Sequence, residues 1–436
     1  MLLGIGCFLA LWGALPFLHK ASVPVPMEAH CFAPIASLPK EMIQEEVITV
    51  FIHGSMYVQL AFLSPFCVLY DSFNGKSWYE KAVSSLRHHT SNQQGKIILT
   101  NGLLEVTDLI QQDYFEGAAR YNGACHIIRG LQRAYPKKQN SSHRFFNFGW
   151  SGILSERDRK LAAEDLYDAL YAIKQEAHLR QKEVRIELYA FSHGGQIALH
   201  LPAVRKLRGD THFTIDLVVL SAVPLYYENT RNLLMGMFST TINCYTPGDF
   251  AQTIDHFSTP ATPHQTIIET IPLPEKKSSI HVIDLAITLG ERHRVPHCAF
   301  FHINKLQIFP YRVRRSTTYK SRYEAAHKFI ELLNPLPLVV LYPYLFEPIF
   351  SYLQITDSAY QHIRLNLSGT ADAFHGTYCF QNPPDDTIIT ASWPVSAHLA
   401  ASQQELREAL AEQPLPNEIS SLWHQLLHTL SSFWQQ

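Results

Sequence analysis

Two nucleotide-binding signatures are missing from this 436-residue chain. No Gly-x-Gly-x-x-Gly string follows a strand, and no Gly-x-x-x-x-Gly-Lys-Ser/Thr loop occurs, so a phosphate-cradling role has no support. Charge is scarce as well. Asp, Glu, Lys and Arg make up 17% of the residues, below the roughly one quarter usual for globular domains, which argues against a disordered chain. Thirty-six basic and 38 acidic residues nearly cancel, and no long run of one sign appears. Phosphate backbones need a concentrated basic footprint, so nucleic acid is excluded as the expected partner. The seven cysteines form no Cys-x-x-Cys pair, which leaves a structural zinc site unsupported and no metal expected. Loss of the N-terminus with Cys7 would leave six, a number that permits disulfides without showing any; the redox compartment stays open.

What is present is apolar material: 46% of the residues are hydrophobic, enough for a sizeable core. The length allows one large domain with an appendage, or two domains. Leu2 to Leu18 carries no charge and is followed by His19 and Lys20. Its length lies between a signal-peptide core and a spanning helix, and the basic segment expected before a signal core is absent apart from the terminal amine. Residues 1–22 are therefore read as a signal peptide or membrane anchor, and the chain as exported or membrane-anchored. A Pro-rich linker, 23–44, follows.

Val47-Ile-Thr-Val-Phe-Ile52 is an uninterrupted β-branched and aromatic run ending at His53-Gly54, the pattern of a strand buried on both faces of a parallel sheet. Phe145–Trp150, Val184–Ala190, Ile215–Leu220, Ile242–Tyr245 and Ile280–Leu289 extend the series to six. Ser155 with Asp158 three residues on is capping-box-like, and Ala162, Leu166, Ala169 and Ile173 repeat at helical spacing. Ile197, Leu201 and Val204 mark a further helix, although Pro202 within it should kink or end it. Strands alternating with helices predict an α/β fold with a mostly parallel sheet and helices on both faces, over residues 45–315. Residues 114–134 supply the helix between the first two strands, which leaves 56–110 as an insertion or lid over the sheet edge. Residues 316–436 form a C-terminal extension of unknown role. Its prolines at 335, 337, 343 and 348 favour an irregular packed segment over a spanning helix.

The chemistry concentrates at Leu188-Tyr-Ala-Phe-Ser192-His-Gly-Gly195, directly after a strand and before a helix. A serine on so sharp a turn needs small neighbours, here Ala190 and Gly194, and the helix N-terminus favours developing negative charge. In this stretch the chain resembles the α/β-hydrolase superfamily, especially its lipases and esterases. Their elbow reads Gly-x-Ser-x-Gly; here Ala190 stands in the first glycine's place, a change some lipases also show. The resemblance spans roughly residues 45–310 and implies a Ser-His-Asp triad in the chain order serine, acid, histidine.

The resemblance makes Ser192 the nucleophile. Asp249, in the Tyr245-Thr-Pro-Gly-Asp249 turn after a strand, is the expected acid, with Asp255 as fallback. His297 is chosen as base over His293 and His302, because Pro296 precedes it and Phe300 and Phe301 follow. Gly369-Thr-Ala-Asp372-Ala-Phe-His375 and Asp385, Asp386 and His398 in the tail are alternatives. Oxyanion donors are expected from the backbone N–H of His193 and of Ser55 or Met56, after the close-approach turn at Gly54.

The expected function is serine hydrolysis of an ester, of a lipid or other apolar acyl substrate, without any cofactor. The apolar insertion, the aromatic-rich tail and the N-terminal segment carry that substrate preference and leave membrane association open. A second reading is a catalytically silent α/β-hydrolase scaffold that binds a protein partner or a membrane. An imidazole in reach of Ser192 Oγ and bonded to a carboxylate separates the two.

Overall fold

A computed structural model describes residues 44–55, 101–105, 141–249, 263–272, 280–290, 293–295, 297–300, 338–354, 360–369, 373–381, 387–394, 400 and 404. The segment 1–22, the helix expected at 114–134 and all of the insertion 56–110 except 101–105 lie outside them, as do Met56, Asp255, His302, Asp372, Asp385, Asp386 and His398.

All six expected strands form, five of them longer than their apolar runs and the last one residue shorter, starting at His281 instead of Ile280. They are β1 (Gln44–Ile52), β3 (Ser141–Gly149), β4 (Lys182–Phe191), β5 (Ile215–Ser221), β6 (Phe238–Tyr245) and β7 (His281–Leu289). The short strand β2 (Gly102–Glu105) precedes β3, β8 (His293–Arg294) follows β7, and β9 (Tyr360–Gly369), β10 (Ala373–Phe380) and β11 (Thr387–Pro394) come from the tail. Ten strands join in the order β11-β10-β9-β7-β6-β5-β4-β1-β3-β2, with β8 beside β7. From β3 to β9 every neighbouring pair is parallel; β2, β8, β10 and β11 pair antiparallel. The protein is thus α/β with a mostly parallel sheet.

Each face of the sheet has its own core. On one side Ile48, Val50 and Ile52 meet Leu188, Ala190, Val218 and Leu220 beneath helices α1 (Glu156–Leu179) and α2 (Gly194–Leu207). On the other, Phe51, Tyr189, Val219, Ile242, Leu285 and Ile363 pack with helix α3 (Leu338–Leu353). Strands buried on both sides cannot alternate apolar and polar residues, which is why β1 reads as a continuous apolar run.

The start of α1 follows the sequence: the Ser155 side chain accepts from Asp158 N–H. Its apolar stripe is wider than expected and is turned towards Ala163, Tyr167 and Leu170, with Ala169 and Ile173 only half-buried. Two expectations need correction. α2 continues through Pro202 to Leu207, because Leu201, Pro202 and Val204 are buried and Arg205 donates to the carbonyls of Phe213, Met235 and Gly236. Among the described residues the tail is not irregular either: α3 runs through Pro343 and Pro348. Nine of its residues are buried on the sheet, and in the turn preceding Pro348 the Tyr378 hydroxyl donates to the Leu345 carbonyl at 2.9 Å. Burial on this scale outweighs the roughly 3 kcal/mol that an interior proline costs a helix.

At the β1–β3 boundary His143 is half-buried, with Nε2 2.7 Å from the Thr49 hydroxyl. Burial, assisted by Arg185, lowers its pKa from 6.5 to about 4. The unfolded chain takes up a proton near 6.5 and the folded chain does not until about 4, so acidification across that window favours unfolding. At ~1.4 kcal/mol per unit, discounted for partial exposure, His143 should remove about 1–2 kcal/mol of stability between pH 6.5 and 4. Urea unfolding at several pH values should show that loss, and His143→Gln should flatten it.

Candidate active site

Ser192 is the first residue after β4, and its φ of 51° puts it in the left-handed region. A non-glycine residue held there carries strain of order 1–3 kcal/mol, which only surrounding contacts sustain. Its N–H donates to Ser221 O on β5 at 2.9 Å, and its carbonyl accepts from Gly195 N–H at 2.9 Å, opening α2. Ala190 is fully buried, in register between Ile52 and Leu220.

Three glycines let the chain close around this turn. A Cβ at Gly54 would stand 3.0 Å from Ser192 Cβ, and one at Gly194 would collide with the His53 carbonyl and lie 2.8 Å from Ile52 O. At Gly195 it would strike the Val223 side chain. Gly194 was expected for this purpose and Gly54 for close approach to a substrate; Gly195 adds a third contact, against Val223.

Beside β4, the loop after β1 is fixed by His53. Its Nδ1 donates to Gly54 O at 2.7 Å, and its Nε2 accepts from Trp150 N–H at 3.3 Å. The indole Nε1–H of Trp150 donates to His53 O at 2.8 Å. A trans peptide sets N–H opposite C=O, so the Ser55 N–H points away from His53. His193 opens α2 as its N-cap, where the helix presents the positive end of its dipole.

Asp249 and His297 meet Ser192 at this edge. His297 Nδ1 donates to Asp249 Oδ2 at 2.6 Å, and its Nε2 lies 3.2 Å from Ser192 Oγ. With Nδ1 holding the proton, Nε2 is left to accept from the serine hydroxyl. Asp249 is 7% exposed and Ser192 8%, so water competes little for these bonds, while the His297 side chain keeps 17% of its surface in solvent. The Phe191 ring lies 5.1 Å from the imidazole, centroid to centroid. His297 begins a 3-10 turn, His297–Phe300.

Of the other candidate bases among the described residues, His293 has its backbone in β8, and His375 is in β10, five strand positions from β4 and so roughly 24 Å away across the sheet. Among the described residues no three His, Cys, Asp or Glu side chains are placed to hold a metal ion, and no helix is long and apolar enough to cross a membrane.

Sequence reasoning missed the second layer. Tyr342 of α3 bonds the Ser221 hydroxyl at 2.7 Å and stacks on Tyr189 at 6.2 Å, so the tail braces the strands beneath the elbow. Asp284, wholly buried on β7, has its carboxyl pKa raised by burial, although Asn243, the N–H groups of Ile267 and Ile268, and Tyr360 all donate to it. No family model, curated protein or solved structure matches the chain.

Gly195→Ala should destabilise by roughly 1–3 kcal/mol through overpacking. Adding Val223→Ala should restore part of that, because the obstruction is a side chain. Gly194→Ala should find no such rescue, since it meets backbone. Thermal unfolding of the three variants measures both outcomes.

Proposed function

We propose that this protein is a serine hydrolase on an α/β-hydrolase-type scaffold, and that it cleaves an ester with Ser192, His297 and Asp249. The observation that carries the reading is the unbroken run from Ser192 Oγ to His297 Nε2 at 3.2 Å and from His297 Nδ1 to Asp249 Oδ2 at 2.6 Å. These residues follow β4, β6 and β7 in the order serine, acid, histidine, at the carboxyl edge of the parallel sheet, where open α/β folds bind ligands.

In this mechanism Ser192 Oγ attacks the ester carbonyl as Nε2 takes the hydroxyl proton, and Asp249 stabilises the imidazolium that forms. The carbonyl oxygen becomes an oxyanion, held by the N–H groups of His193 and of Ser55 or Met56. Collapse breaks the ester bond, and the departing alkoxide takes the proton from Nε2. Water, deprotonated by the same nitrogen, then releases the acid and restores Ser192. The chemistry draws on no cofactor.

An apolar acyl group fits the surroundings best. Phe191 flanks the imidazole, and Val295 and Phe300 on either side of His297 belong to the same buried cluster. The apolar insertion and the N-terminal segment point the same way and keep membrane association in view.

A fluorophosphonate probe tests the assignment. Wild type should label covalently, Ser192→Ala and His297→Ala should not, and Asp249→Asn should label roughly 10³–10⁴-fold more slowly, because the wrong imidazole tautomer then faces the serine. Absence of labelling in wild type that unfolds cooperatively would make the silent binding scaffold the better account.

A further inference from the structure

The turn that carries Asp249 is gripped from outside its strand. Beyond Tyr245 the chain leaves the sheet, and Gly248 takes a φ of 73°. Ladder bonds no longer hold it there; the turn's own bond from Asp249 N–H to Thr246 O at 3.1 Å is supplemented by side chains. Gln265 Oε1 accepts from Gly248 N–H at 3.1 Å, and its Nε2 donates to Asp249 O at 3.3 Å and Thr246 O at 3.5 Å. From the other side Arg294 Nη1 donates to Gly248 O at 2.9 Å, and Thr246 Oγ1 accepts from Val295 N–H at 3.1 Å. Arg294 and Val295 lead directly to His297, so this turn locks the acid to the start of the base loop.

Gln265 is itself anchored. Its backbone carbonyl accepts from Asn243 Nδ2 at 2.8 Å, and the same amide donates to Asp284 at 2.6 Å. Asp284 also accepts from Ile267 N–H at 2.9 Å and from the Tyr360 hydroxyl at 3.0 Å. A continuous hydrogen-bonded path therefore runs from β9 through β7 and β6 to the acid turn.

We propose that Gln265 is a positioning residue for Asp249: its amide fixes the 246–249 backbone so that the carboxylate stays within 2.6 Å of His297 Nδ1. The proposal rests on reading these residues as a triad, and a group acting in catalysis has to be held to about 0.5 Å. It assigns a role to a residue outside the Ser192, His297 and Asp249 set.

Gln265→Met keeps the side chain's length and removes all three amide bonds. Gly248 is exposed, so water can take the freed N–H and the fold should survive with Tm changed by a few degrees at most. Two readouts are needed. The first is the low-field proton resonance of the His297 Nδ1–H···Asp249 bond, assigned by its loss in His297→Ala; it should broaden or move in Gln265→Met. The second is fluorophosphonate labelling, which should slow roughly 10- to 100-fold, as expected when a reacting group is misplaced by about an ångström. In an Asp249→Ala background Gln265→Met should have no further effect on labelling, because it acts through that carboxylate. An unchanged resonance, or a full additive loss in the Asp249→Ala background, overturns the proposal. A wild type that shows the resonance, shifted by Gln265→Met, yet never labels would sink the hydrolase reading and leave the positioning role standing.

Discussion

The amide of Ser192 reaches sideways to the carbonyl of Ser221 on the neighbouring strand, and the arrangement around the site depends on that bond. It ends β4 and forces φ to 51°, so that the chain turns off the sheet edge into α2 within two residues. Such a turn lasts only where neighbours over-determine it. Gly54 and Gly194 allow that, since any side chain at either would push the β1 loop away from the serine. The same closeness sets Gly54 against the serine, with the direction of the peptide that follows set by the His53–Gly54 bond. Strain, close approach and donor orientation are one packing solution.

The tail belongs to that solution. Were α3 absent, Tyr189, Val219, Leu285 and Ile363 would lose the helix that covers them, and Ser221 would lose the Tyr342 hydroxyl. Burying side chains of this size contributes roughly 1.5–3 kcal/mol each. β9 also extends the parallel sheet directly beside β7, in register from Val282 to Leu289, so the strand leading to His297 is an inner strand only because the tail flanks it. A parallel strand at the edge would leave a row of unpaired peptide groups.

How much of this was legible follows from where each signal resides. The β1 run, the Ser155 cap and the Ala-Phe-Ser-His-Gly elbow are local patterns, and each matches the structure closely. Asp249 and His297 could be reached because a turn at a strand's carboxyl end is itself local, and the strand order sets those ends side by side. α3 was obscured by Pro343 and Pro348: local propensity opposes a helix there, and only burial against the sheet, which the sequence does not display, overrides it. Gln265 gave no signal at all. Its function comes from three contacts with a turn 16 to 19 residues earlier, and no composition or period marks such a meeting.

The two halves of the site are held by different means, and the difference has a physical reason. Ser192 is given one fixed position by close packing of backbone against backbone, at no cost in side-chain freedom. Asp249 and His297 stand on loops that leave the sheet, where packing alone is too coarse to keep 2.6 Å between them. Directional bonds from Gln265, Arg294 and Thr246 take over, and they are in turn tied to the buried Asn243–Asp284–Tyr360 row. Burying Asp284 is expensive and raises its pKa, a penalty that an apolar residue on β7 would avoid. Its four donors come from β6, from β9 and from the turn after Gln265, elements that no single apolar contact would hold in register. The costly carboxylate is thus the joint that fixes the loop against the sheet, and the alignment of Asp249 is inherited from it.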